Sequence, residues 1–309
     1  MSRTLSLGFW LGLGVAVLLA LLPLAGPAYY LQLLTVIFFW VGLAGCWNLM
    51  CGYTGYIDFG SVAYVGIGSY VSGILMLKLG VPLLWACLLA GVGSALVALV
   101  VGWPTLRLRG AYFAIATFAL AEALMQVAEE WESLTEGGMG ITIPQRLEEL
   151  SYYWLYLLLA ALVVGLTWWI EHSRHGYALK AINEDEHAAA QVGVDTHLVK
   201  LKTYVLTAFF IGILGALEGT RLGYFKPDDV FDVHTTIKMV IMSLLGGMGT
   251  VLGPVIGAGF LQVIQDYLGA QFEQLYLVII GAVIVLVIIF APQGIAGLWR
   301  RRLGSGGGS

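Results

Sequence analysis

Ten apolar runs, most of them long enough to cross a bilayer, divide this chain. They are Leu7–Leu22, Leu31–Met50, Ser61–Leu79, Leu83–Gly102, Tyr112–Ala128, Tyr152–Ile170, Leu198–Glu218, Ile237–Leu245, Val251–Gln265 and Leu275–Phe290. A hydrocarbon core of about 30 Å needs roughly 20 apolar residues in a helix. No water is present there to satisfy exposed amides, so each backbone group must be paired within its own segment. The runs are therefore predicted to be helices, and no strand is expected. The eighth and ninth are short and interrupted by glycine, which points to half-spans or kinks. Charged residues make up 11% of the chain, against about 25% in an ordinary soluble domain. The expected fold is an all-α integral membrane protein of about ten crossing or half-crossing helices. Residues 1–302 form one polytopic domain. The closing LGSGGGS, 303–309, reads as an appended flexible linker. The first run has little n-region and no small-residue cleavage site before Tyr29, so it is read as a retained span.

One polar stretch breaks the pattern. Residues 171–202 hold five of the 19 acidic residues, four of the 15 Lys and Arg, and four of the five His. Within it, Asn183 and Glu186 have the spacing of a capping box, and Gly193 offers a left-handed helix end. A helix of roughly eight to ten residues is marginal alone in water. It must lean on its own membrane domain or on a soluble partner.

The basic residues set an orientation. With ten crossings and a cytoplasmic N-terminus, Arg3, Arg107, Arg109, Arg174, Lys180, Lys200, Lys202, Arg300, Arg301 and Arg302 fall inside. Lys78, Arg146, Arg221, Lys226 and Lys238 fall outside. The positive-inside rule favours this arrangement, with both termini and the segment 171–197 cytoplasmic. The acidic loops 129–136 and 226–232 then face outward.

Catalytic signatures are missing. Cys46, Cys51 and Cys87 lie in or beside apolar runs without metal-ligand spacing. No HExxH or GxSxG motif occurs. No Gly-Lys-Ser or Gly-Lys-Thr occurs either, so a nucleotide would have to be bound by another subunit. The reading is a non-enzymatic chain with no metal and no cofactor of its own.

Glycine is abundant, 41 of 309 residues, or about 13% where about 7% is average. Two clusters stand out: 51–70, with Gly52, Gly55 and Gly60, and 245–260, with Gly246, Gly247, Gly249, Gly253 and Gly257. They form a weak local repeat. Gly249, Gly253 and Gly257 recur every fourth residue and would line one helix face, allowing close backbone approach. Pro254 suits the first turn of a helix starting near Leu252, packed against a span of the first cluster. Close packing and a lining of interrupted helices along a translocation path are both open. Asp58 and Glu122 lie near membrane depth, where an acid costs roughly 2.5–3.5 kcal/mol on insertion scales.

Taken in order, GCWNLMCGYTGYIDFGSVAYVGIGSY, LRLRGAYFAIATFALAEAL, GMGI, the stretch from RHGYALKAINEDEHAAAQVGVDTHLVKLK to GALEG, and LLGGMGTVLGPVIGA resemble a known family. The chain is similar, from about residue 40 to 298, to the M-type permease subunit of bacterial high-affinity branched-chain amino acid ABC importers. That resemblance implies a multi-pass protein of the bacterial inner membrane. It implies a second permease subunit, of a different H-type, two cytoplasmic ATPases that bind ATP and Mg, and an external substrate-binding protein; nucleic acid has no part. It implies that Asn183, Glu184, Asp185, Glu186, His187, Ala188, Ala189, Ala190 and Gly193 form a coupling helix that docks on an ATPase. The implied function is import of branched-chain or related hydrophobic amino acids by alternating access. Urea and short amides are the alternative substrates within the same family. A stand-alone secondary transporter or channel is a rival that would not need the 183–193 helix. The family often carries Arg shortly after the span-five glutamate, whereas Ala123–Gln126 follow Glu122 here.

Overall fold

The computed structural model describes residues 28–143, 147–271, 281 and 294. Helix α1 (Ala28–Trp47) runs into a π turn, Asn48–Gly52. Helices α2 (Ser61–Leu79), α3 (Leu83–Thr105), α4 (Ala111–Glu130) and the single turn α5 (Glu132–Thr135) follow. Strand β1 (Ile141–Thr142) precedes α6 (Glu149–Glu171), α7 (Arg174–Glu184), α8 (Glu186–Gln191) and α9 (Thr196–Leu222). Then come β2 (Tyr224–Phe225), the single turn α10 (Pro227–Val230), α11 (Val233–Gly246) and α12 (Gly253–Gln271).

Among the described residues six helices are long and apolar enough to cross a membrane: Tyr29–Gly52, α2, α3, α4, α6 and α9. They coincide with the second to seventh expected spans. Helix α11 has 14 residues, about 21 Å at 1.5 Å per residue, too short to cross alone. Helix α12 carries Gln262, Gln265 and Asp266, which lower its apolar character. The first expected span, and the tenth apart from Gly281, lie outside the described residues.

One expectation fails. Strands β1 and β2 pair antiparallel, Ile141 with Phe225 and Thr142 with Tyr224. Two-residue strands carry no alternation for a sequence pattern to reveal.

The connections gather at two ends. At one end the 53–60 loop, the turn after α3, α7, α8 and the 247–252 turn come together. There the Gly249 amide donates to Asn48 Oδ1 at 2.8 Å, and Arg109 meets His187. At the other end Lys78 Nζ donates to the Ser133 carbonyl at 2.8 Å, and the Tyr224 hydroxyl donates to the Met139 carbonyl at 3.0 Å.

The interior is held by direct backbone approach. A β-carbon on Gly68 of α2 would strike the Gly212 carbonyl of α9, and one on Gly215 would strike the Val65 carbonyl. Ser69 Oγ donates across the same contact to the Gly215 carbonyl at 2.8 Å. On another side of α9, Gly91 of α3 packs on the Phe209 carbonyl, and Gly212 on Ser94. Helices α2, α3 and α9 therefore form one tight unit. Edge-to-face pairs of Phe38 with Tyr153 and Phe39 with Tyr156 join α1 to α6. Exposure differs sharply between spans. Helix α3 turns Trp85, Leu88, Val92, Leu96 and Leu99 outward, a face suited to lipid. Helix α4 is the least enclosed span, 22% buried in its most apolar stretch against 78% for Tyr29–Gly52.

The second glycine cluster divides between two contacts. Gly249 is not on the expected helix face: it lies in the turn before α12, at φ 69°, and meets Gly52, their backbones too close for a side chain. Gly253 and Gly257 instead close the α11–α12 hairpin: a β-carbon on Gly257 would strike the Met242 carbonyl, and one on Gly253 the Gly247 carbonyl. Helix α12 begins at Gly253, whose amide donates to Thr250 Oγ1 at 3.0 Å. The hairpin explains the four-residue spacing without a partner from the first cluster.

Gly257→Leu is therefore expected to destabilise the purified protein by about 1–3 kcal/mol or more, because overpacking here forces backbone apart. Gly165→Ala, where a β-carbon meets nothing within 4 Å, is expected to be neutral or slightly stabilising. Thermal unfolding in detergent, followed by tryptophan fluorescence, checks both; equal midpoints for Gly257→Leu and the native protein would refute the close contact.

Candidate functional site

The polar segment folds into a two-helix shelf. Ser173 is extended, and its Oγ accepts from the Gly176 amide at 3.3 Å, starting α7. Leu179 and Ile182 of α7 are buried. Asp185 is extended at φ −159°, which ends α7 and opens α8. Its Oδ1 accepts from the amides of His187 at 2.8 Å and Ala188 at 3.1 Å. This corrects the expected cap: Asn183 lies inside α7, its amide oxygen against Gly55, and Asp185 does the capping. Gly193, at φ 90°, ends the segment as expected, with its amide donating to the Ala190 carbonyl at 3.1 Å.

Glu186 turns inward, not back toward Asn183. Its Oε1 lies 2.6 Å from Lys200 Nζ, and the Lys200 side chain is only 2% exposed. The Tyr56 hydroxyl donates to Glu186 Oε2. Lys200 also donates to the Tyr56 hydroxyl at 3.0 Å and to the Leu106 carbonyl at 3.2 Å, and sits 4.1 Å from the Tyr56 ring centroid. Arg109 Nε approaches Glu186 at 3.7 Å and also meets the His187 ring. Three separate stretches of chain, the 53–60 loop, the turn after α3 and the start of α9, thus converge on one carboxylate of α8. Breaking a buried pair of this kind by removing one partner costs about 3–5 kcal/mol, since the other charge is left uncompensated.

Burial opposes the charge on Glu186, but the hydrogen bonds from Lys200 and Tyr56 outweigh it and hold its carboxyl below the usual range. The Ala188 and His187 amides hold Asp185 below its usual range too. A depressed carboxylate stabilises the fold above its unfolded pKa and loses that contribution as pH falls through the folded value. The shelf's attachment is thus complete at neutral pH and weakens only on strong acidification.

Outward, the shelf presents Glu184, His187, Ala188 and Ala190, with Val192 80% and Tyr177 66% exposed. Ala189 differs from the expectation that Ala188–Ala190 form one outward face. It is 3% exposed and packs into its own chain.

The remaining expected site residues fall elsewhere. Asp58 is 1% exposed. It accepts from the Gly60 amide at 2.8 Å and Ser61 Oγ at 2.6 Å, so it organises the start of α2. Burial raises its carboxyl, and the hydrogen bonds from Ser61, Gly60 and Thr117 oppose that rise. Gly60 packs on the Thr117 carbonyl, and Gly246 on the Gly253 carbonyl. Gly247 has φ 121°. Glu122 is half-buried on α4 and has no hydrogen-bond or ion-pair partner among the described residues.

Sequence reasoning missed Asn48. Its Oδ1 accepts from the Gly249 amide at 2.8 Å, and its Nδ2 donates to the Thr250 carbonyl at 2.9 Å. It therefore ties the π turn to the second glycine cluster. It also missed Tyr56, Arg109 and Lys200 as partners of Glu186. The available signal was Lys200 itself, a charge at the start of an apolar run. Among the described residues no cluster of His, Cys, Asp and Glu is arranged to hold a metal ion.

Ala189→Trp is expected to prise α8 from the body and make residues 171–197 hypersensitive to protease in detergent. Ala188→Trp, facing outward, is expected to leave the cleavage pattern unchanged. Equal resistance in both variants would remove Ala189 from the shelf's packing.

The family profile described as "Branched-chain amino acid transport system / permease component" matches residues 29–288. The high-affinity branched-chain amino acid transport system permease protein LivM of Escherichia coli (strain K12) is 29% identical over 302 residues, covering 87% of this chain and 70% of that protein. LivH, the corresponding permease protein of Salmonella typhimurium, is 28% identical over 279 residues, covering 81% of this chain and 89% of that one. BraD of Pseudomonas aeruginosa is 29% identical over 154 residues, covering 48% of each chain. No solved structure gives a match. With six apolar helices, a polar shelf at one end and a matching profile over most of its length, the chain belongs to the branched-chain amino acid transport permease family.

Proposed function

We propose that this chain is the transmembrane subunit of an ABC importer that moves branched-chain or related hydrophobic amino acids into the cytoplasm, with ATP hydrolysed in separate subunits. The observation that carries the reading is the shelf. A six-residue helix is capped at both ends, anchored from beneath by Glu186 and Ala189, and presents a small, partly apolar outer face. A stand-alone channel has no use for such a face, whereas a soluble ATPase would cover Val192 and Tyr177. The proposed topology places the shelf, the 53–60 loop and both termini in the cytoplasm, as the basic residues suggest. The 129–136 and 226–232 loops would then meet an external binding protein.

A second permease, of the H type, fits the open side of α4. Glu122, Ala119, Ala123 and Gln126 lie on that helix together, a pattern unlike the bulky apolar face of α3. An unpaired carboxylate at mid-span costs roughly 2.5–3.5 kcal/mol against lipid, so a protein or aqueous neighbour suits it better. Substrate selection in this reading rests largely with the binding protein. Urea and short amides therefore stay as the alternative cargo.

The test is co-purification and uptake. The native chain, expressed with its neighbouring transport genes, is expected to bring down an ATPase and a second permease, and vesicles are expected to accumulate radiolabelled leucine in the presence of ATP. Uptake of urea in place of leucine would move the chain to the amide branch. No associated ATPase would overturn the proposal. For topology, a cysteine at Tyr177 is expected to resist an impermeant thiol reagent added to intact cells, whereas one at Ser133 reacts. Tyr177 suits the probe because its side chain is exposed, whereas the neighbouring Ser173 caps α7. Labelling of both from outside would invert the arrangement.

A further inference from the structure

We infer that Glu186 is the joint through which movement of α8 is passed to the membrane helices, and that Lys200 is its seat. The inference rests on the proposed docking of an ATPase on the shelf, but concerns what happens beneath that docking surface. Helix α8 has six residues, too few to act as a lever on side-chain packing alone. Its buried holds on the body are the Glu186 carboxylate and the Ala189 methyl group; the contact of His187 with Arg109 is at the exposed surface. Both Glu186 oxygens are used: Oε1 by Lys200 at 2.6 Å, and Oε2 by Tyr56 and Arg109.

What lies behind those partners makes the joint mechanical. Lys200 belongs to the first turns of α9, and α9 is locked to α2 and α3 where Gly68, Gly91, Gly212 and Gly215 bring backbone against backbone. Carbonyls set this close leave no room to slide, so a pull on Lys200 moves the three helices as a body. Tyr56 lies in the loop whose next residues, Asp58 and Gly60, organise the start of α2. The same carboxylate therefore holds both the N-terminal end of α9 and the approach to α2. The Lys200 contact with the Leu106 carbonyl adds the end of α3. Glu186 and Lys200 are positioning residues in this account. They touch neither ATP nor cargo.

The experiment uses the whole assembly, with both permeases, both ATPases and the binding protein, reconstituted in liposomes. ATP hydrolysis and radiolabelled leucine uptake are measured together. Glu186→Gln and Lys200→Met are each expected to lower leucine moved per ATP hydrolysed by roughly tenfold, the scale of an ordinary coupling energy. The ATPases should still co-purify and still hydrolyse ATP. The double variant is expected to be no worse than the poorer single one, because both remove the same link. Lys202→Gln, on the same helix but outside the cluster, is expected to keep the native ratio. An unchanged ratio in Glu186→Gln and Lys200→Met would overturn the joint while leaving the docking reading intact. Loss of the ATPases from either variant would also overturn it, by making the pair part of the docking surface. A native assembly that never binds an ATPase would defeat the docking reading itself and the joint with it.

Discussion

Carbonyl against glycine, between α2 and α9, is the contact on which the rest of this architecture depends. Lipid tails are as apolar as leucine, so burying apolar side chains gives helices no reason to associate within the bilayer. What remains is dispersion at close range, which needs surfaces without protruding side chains, and hydrogen bonds across the gap. Gly68 and Gly215 supply the first, and Ser69 the second. Gly91 likewise brings α3 against the Phe209 carbonyl of α9, while Ser94 of α3 donates to the Tyr64 carbonyl of α2 at 3.3 Å. A unit held this way has a single register, because any slide sets a carbonyl against a β-carbon. That rigidity makes α9 a beam, and the charged cluster sits at one end of it.

The cluster is placed where the solvent changes. A lysine deep in hydrocarbon would be expensive, and one in bulk water would give little from pairing. Lys200 is at the boundary, enclosed by protein, and the carboxylate, phenol and carbonyl around it satisfy its ammonium. At the other end of α9, Glu218 is met by Arg221 and by the Tyr156 hydroxyl at 2.8 Å. Both ends of the beam are thus pinned by neutralised charge, and its middle by backbone contact. Glu122 on α4 is the exception among these acids, and α4 is also the span the rest of the chain covers least.

Six spans were legible because each is a long apolar run, and the bilayer permits one structure for such a run. The shelf was legible as composition, since so much charge in a greasy chain marks a water-facing segment. Its wiring was not. Asn183 and Glu186 carry the capping-box spacing, yet Asp185 takes the cap because an extended residue there lets Glu186 face inward. That choice is decided by Lys200, 14 residues on, and by Tyr56, 130 residues back, neither of which a local pattern can register. The four-residue glycine spacing suggests one helix face, yet only Gly253 and Gly257 share the helix. For Gly253 and Gly257 the partner is local, across the α11–α12 hairpin, whereas Gly249 meets Gly52 of the first cluster, clamped by Asn48.

The ends of α8 show how a helix too short to stand alone is given a fixed direction. Nucleating a helix costs more than one turn of hydrogen bonds returns, so its geometry must be imposed from outside. At its start Asp185 imposes it by an extended backbone and two amide acceptor bonds; at its close Gly193 does so by a left-handed turn. Neither device uses the helix's outer side chains. Ala188 and Ala190 are therefore free to be small and Val192 to be exposed, because nothing about the fold of α8 rests on them. The side chains of Glu186 and Ala189, with His187 against Arg109, hold the body, and Ala188, Ala190 and Val192 are left free to answer to a partner. A segment divided in this way can meet a partner on its outer face without its own structure depending on that contact.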